Sequence, residues 1–82
     1  MNAHKIIWQI IDDVAAKRGT SVSRLAVDCG LDSTTFNKSR RETPTGLHFP
    51  SLPSIMAVMA LGGMTWRDFA KQWEKIGAKN DK

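Results

Sequence analysis

Ser33, Thr34, Asn37 and Lys38 are the side chains whose types and spacing most suggest chemistry, and that chemistry is hydrogen bonding to base edges. On a helix turning by about 100° per residue, the four fall within about 140° of one another and away from Phe36. Asn37 carries a donor and an acceptor side by side, as a bidentate contact to adenine requires. Lys38 can donate to guanine, and Ser33 and Thr34 can meet either a base edge or a thymine methyl. No acid interrupts the run from Ser33 to Arg41, which also carries Lys38, Arg40 and Arg41. That asymmetry favours a polyanionic partner.

Charge placement supports the same reading. The chain of 82 residues has a formal net charge of +4. From Lys17 to Arg41 the bases are Lys17, Arg18, Arg24, Lys38, Arg40 and Arg41, opposed by Asp28 and Asp32, so this segment holds the whole excess. Ser21, the backbone N–H groups of Val22 and Ser23, and the side chains of Thr35, Arg40, Arg41, Thr43 and His48 are candidates to hold phosphates, which fix register without reading sequence. About six neutralised phosphates would make log K fall with log salt at a slope of about −5.

Other chemistries find little support. The chain has no Gly-x-Ser-x-Gly and no phosphate-binding loop, and Asp12 and Asp13 are adjacent on a helix and point about 100° apart, so no enzyme is expected. Cys29 is the single cysteine, and with only His4 and His48 beside it there is no zinc constellation. No cofactor, metal or small-molecule substrate is expected. No apolar run is long enough to span a bilayer and no signal-peptide pattern is present, so a cytoplasmic, nucleoid-associated protein is expected.

The elements that would position these residues follow from periodicity and punctuation. Ile7, Ile10, Ile11 and Val14, widened by Trp8 and Ala15, predict a first helix from about Ala3 to Arg18, ended by Gly19. Ser21 caps a second helix, with Leu25, Ala26 and Cys29 inward, and Gly30 stops it. Asp32 is a cap for a third, whose one large apolar residue is Phe36. The segment from Arg40 to Pro50 is too rich in Pro, Gly and Thr for helix and reads as a loop. Pro44 and Gly46 suit the second and fourth positions of its turn, and Leu47 or Phe49 anchors it to the core. Ser51 caps a fourth helix with Ile55, Met56 and Met59 inward, ended by Gly62 and Gly63. Thr65 and Asp68 form a capping-box variant for a fifth, striped by Trp66, Phe69, Ala70, Trp73 and Ile76.

Ala26, Gly30, Leu31 and Phe36 at these intervals resemble the helix-turn-helix of lambda-repressor-like and Cro-like DNA-binding domains. The run Thr35-Phe36-Asn37, the basic Arg40-Arg41 and the Pro50-Ser51 that follows look most like the N-terminal domain of phage-type repressors that carry a LexA-type peptidase domain. The sequence to Lys82 leaves no room for that peptidase, so it reads as a fragment of such a repressor or as a stand-alone Cro-like regulator.

The resemblance implies an all-α, compact five-helix fold with the helix-turn-helix formed by helices 2 and 3. A DNA-binding domain would occupy residues 1–76 and a flexible tail 77–82. It further implies a sequence-specific transcriptional regulator, most simply a repressor, that reads the major groove of double-stranded DNA with helix 3 and binds a palindromic operator as a homodimer. Helix 5 commonly pairs such domains, which makes Trp66, Trp73 and Ile76 dimer candidates; for the two tryptophans, core packing is equally open. The alternative is an antitoxin or adaptor that uses the same fold on a protein partner.

Overall fold

A computed structural model describes residues 2–80. Four α-helices, α1 (Ala3–Lys17), α2 (Val22–Asp28), α3 (Leu52–Leu61) and α4 (Trp66–Asn80), enclose a core organised on α1. Between α2 and α3 lie a three-residue 3-10 helix, Lys38–Arg40, and an antiparallel pair of two-residue strands, β1 (Glu42–Thr43) and β2 (Gly46–Leu47). Glu42 pairs with Leu47 and Thr43 with Gly46, leaving Pro44 and Thr45 as the connecting turn.

The expectation of five helices is therefore corrected: the described residues form four α-helices and a small sheet, and the helix expected after Asp32 does not form. Its sequence explains why. The Asp32 carboxylate accepts from the Thr34 N–H at 2.9 Å and from the Thr34 hydroxyl at 2.7 Å, and the Thr35 hydroxyl donates to the Asp32 carbonyl at 2.7 Å. These short-range bonds offer the backbone an alternative to helix. The chain then takes three-residue turns, with the Thr35 N–H on the Asp32 carbonyl and the Asn37 N–H on that of Thr34. Ser, Thr and Asn have modest helix propensity, and Phe36 alone cannot supply an apolar stripe to offset it.

Local rules account well for the four helices that do form. Asn2, Ser21 and Ser51 cap α1, α2 and α3 through side-chain oxygens that accept from Lys5, Arg24 and Ser54 N–H groups. Pro53 sits in the first turn of α3, where no N–H is required. At the start of α4 the bonds are reciprocal: the Asp68 N–H donates to Thr65 Oγ1 at 3.1 Å and the Thr65 N–H to Asp68 Oδ2 at 3.0 Å. Gly30 ends α2 with φ +77°, while its N–H and that of Leu31 close onto the Val27 and Ala26 carbonyls. This arrangement needs a left-handed residue, for which glycine pays no Cβ penalty.

Helix α1 is buried on two sides. Trp8, Ile11, Val14 and Ala15 pack with Leu25, Ala26, Phe36 and Val58, whereas Ile6 and Ile10 pack with Ile76, flanked by Phe69 and Trp73. Met64 touches both clusters. Several inward assignments change. Met56 and Ala70 are exposed, and so are Leu47 and Phe49, although Phe49 still meets His4 of α1 edge-on at 5.3 Å between ring centroids. Helix α4 runs through Asn80, and of the tail expected over 77–82, residues 81 and 82 lie outside the described residues.

Candidate nucleic-acid interface

The segment from Ser33 to Arg41 is pinned at two points. Phe36 is fully buried, edge-on to Trp8 at 6.2 Å between ring centroids. Five residues on, Arg41 is only 8% exposed. Its guanidinium donates to both carboxylate oxygens of Asp12, at 2.9 and 2.7 Å, and to the Phe36 carbonyl at 2.8 and 3.3 Å. It also lies over the Trp8 ring at 4.4 Å. Arg41, expected to grip a phosphate, is instead the buried peg that holds this segment against α1. The sequence shows its charge but not the Asp12 and Trp8 that claim it.

The hairpin is tied down by the same helix through polar groups. Trp8 Nε1 donates to the His48 carbonyl at 3.0 Å, and His4 Nε2 lies 3.1 Å from that carbonyl and 2.8 Å from the Arg41 carbonyl. Both partners of His4 Nε2 are acceptors, so that nitrogen carries a proton. The His48 ring faces Thr43, with Nε2 2.8 Å from Oγ1, and Thr43 also meets Thr45. In the sequence Trp8 reads only as part of the apolar face of α1, and nothing beside His4 marks it as a contact of the hairpin.

Between the pins the exposed side chains are Lys38, Ser39 and Arg40, and Ser33 is exposed ahead of the first pin. Neither Lys38 nor Arg40 forms an ion pair among the described residues. Thr34, Thr35 and Asn37 are half-buried. Thr34 and Thr35 spend their hydroxyls on Asp32, and Asn37 Oδ1 accepts from the Ser23 hydroxyl at 3.3 Å. An adenine contact through both amide atoms of Asn37 would have to displace that long bond. Ser21 Oγ is occupied as the cap of α2, leaving Val22 and Ser23 half-buried beside it. Arg24 and Arg18 converge on Asp28, at 3.0 and 3.8 Å.

Electrostatics at the edge of the segment are set by Asp32, whose pKa is lowered by the Thr34 hydroxyl and N–H bonds, with a smaller contribution from Arg40. The ionised form of Asp32, the acid on which Arg40 acts, is thereby favoured. Cys29, half-buried against the core, has its thiol pushed up by burial, which keeps it unreactive.

The dimer candidates separate. Ile76 is buried against Ile6 and Ile10 of its own chain, so it cannot serve an interface without opening the core. Trp73 is half-buried on the same cluster. Trp66 is 55% exposed, edge-on to Phe69, with Leu52 and Met56 also exposed on α3. Among the described residues, no group of three His, Cys, Asp or Glu could hold a metal, and no helix is long and apolar enough to cross a membrane.

The chain matches no protein-family model, no curated protein and no solved structure. The likeness to repressor helix-turn-helix domains therefore rests on the residues quoted for it, and the segment that would be the reading helix is a succession of turns.

Proposed function

We propose that this chain binds double-stranded DNA through the segment Ser33–Arg40 and acts as a regulator of transcription, with repression the outcome that the resemblance implies. The observation that carries this reading is an acid-free segment whose exposed Lys38 and Arg40 form no ion pair among the described residues and stand between two buried side chains, Phe36 and Arg41. Rigid mounting lowers the entropy lost when such side chains are ordered on a phosphate backbone. The strip meets DNA as a knuckle of turns. Lys38 and Arg40 supply phosphate or guanine contacts, Ser33 a hydroxyl, and the Asn37 amide a donor.

The inward turn of Arg41 and the pairing of Arg18 and Arg24 with Asp28 reduce the electrostatic footprint. About three phosphates per protomer remain within reach, which lowers the expected salt slope from about −5 to about −3. Fluorescence anisotropy with a labelled duplex across a salt series tests this. The proposal expects that slope and a loss of more than about tenfold at low salt for the folded double variant Lys38→Ala, Arg40→Ala. A salt-independent signal, or a double variant that binds like the parent, refutes it.

A second reading, an adaptor or antitoxin docking a protein, draws on the exposed Leu52, Met56 and Trp66. Absence of any duplex binding at low salt would favour it. The same surface is where a homodimer would form, now through Trp66 and not Ile76.

A further inference from the structure

A cleft of about 410 Å³ opens on another part of the molecule, between the C-terminal half of α1, the turn joining α3 to α4, and the first turns of α4. Its floor is apolar, made by Ile10, Val14, Leu61 and Met64. That size and lining fall in the range of small-molecule sites.

The rim decides the sign of the occupant. Lys17, Arg18 and Lys71 stand around it with Asp13 and Asp68. Both carboxylates already have donors in the chain: Asp13 accepts from Gln9 Nε2 at 2.8 Å, and Asp68 from the Thr65 N–H at 3.0 Å. The cations are less committed. Lys17 and Lys71 form no ion pair among the described residues, Lys71 acting on Asp68 only as a minor contribution to its lowered pKa, and Arg18 reaches Asp28 only at 3.8 Å. The backbone offers no competing anion hole, since the N–H groups of Gly62, Gly63 and Met64 close onto Val58, Ala60 and Met59 carbonyls. Anion recognition here must come from the side-chain cations.

The open edge is maintained by the turn. A Cβ at Gly63 would meet nothing within 4 Å, whereas one at Gly62 would stand 3.3 Å from the Val58 carbonyl and 3.4 Å from Val14. Gly62 thus lets the turn close tightly on α1 while the neighbouring position faces open space.

We infer that this cleft is a binding site for a small anion with an apolar body, such as a ring-bearing carboxylate, seated on Ile10, Val14, Leu61 and Met64 with its charge between Lys17 and Lys71. The inference does not depend on the DNA reading, and its test involves no DNA. Amide chemical shifts of the full chain are followed during titration with three probes that share one apolar body: indole-3-acetate, its neutral amide, and tryptamine.

The expected result is saturable shifts at Lys17, Gly62, Gly63, Met64 and Lys71, with the carboxylate binding about fivefold or more tightly than the amide and tryptamine weakest. Lys17→Gln with Lys71→Gln, both at exposed positions, should erase the preference for the carboxylate while keeping the shifts from the apolar body. Lys17→Glu with Lys71→Glu should turn the preference toward tryptamine. Equal binding of all three probes to the parent, shifts centred elsewhere, no shifts at millimolar probe, or a preference untouched by the lysine changes would each overturn the inference.

Discussion

Replacing Arg41 with alanine is the sharpest probe of how this domain is built. The substitution removes a two-pronged ion pair to Asp12, two bonds to the Phe36 carbonyl and the contact over Trp8. Breaking a buried pair by deleting one partner costs about 3 to 5 kcal/mol. The Asp12 side chain is 30% exposed, so water can take up part of its charge, and the lower end, about 3 kcal/mol, is expected. In a domain of this size, about 1 kcal/mol moves Tm by roughly 4 to 8 °C, so Arg41→Ala should melt roughly 12 to 24 °C below the parent. Arg41→Lys keeps the charge but loses the planar fork and should fall about halfway.

Thermal and urea unfolding of Arg41→Ala, Asp12→Ala and the double variant complete the cycle. The coupling should be about 1 to 2 kcal/mol, since the two groups share their strongest bonds. If Arg41→Ala melted with the parent yet lost duplex affinity as Arg40→Ala does, the side chain would have to reach outward in solution. The account of Arg41 as an internal peg would then fail.

Two further outcomes are expected. Asp68 has its pKa lowered, first by the Thr65 N–H bond and then by the Thr65 hydroxyl, and Asp32 is lowered by Thr34. A carboxylate with a depressed folded pKa contributes stability above its unfolded pKa and loses it as pH falls through the folded one. Stability should thus decline as pH drops below about 4, and Asp68→Asn should flatten that decline; an unchanged acid limb in pH-dependent urea titrations would contradict the capping role. Gly30→Ala should cost about 1 to 2 kcal/mol from backbone strain alone, because no atom lies within 4 Å of the added Cβ. A neutral or stabilising effect in thermal unfolding would show that α2 can end another way.

What the residues determined by themselves was much of what is settled within one turn of chain, the segment after Asp32 excepted. The caps at Ser21 and Ser51, the Thr65–Asp68 box and the stop at Gly30 are local hydrogen-bond and steric problems with few solutions, and each was solved as its residue types require. The face of α1 that carries Ile10, Ile11 and Val14 was likewise legible from helical spacing, whereas the burial of Ile6 against Ile76 was not. Tertiary structure decided the rest. Arg41 and Asp12 are 29 positions apart, and nothing in a row of basic residues says which one will find a carboxylate and an indole waiting on another helix. The segment after Asp32 was a close contest between helix and side-chain-stabilised turns, and one buried Phe36 was too little to favour the helix. Along α4, Trp66 and Ile76 share an apolar stripe, but only docking against Ile6 and Ile10 determined that the isoleucine is covered and the tryptophan exposed. Burial depends on the partner's shape and position, and a one-dimensional pattern of apolar residues does not contain them.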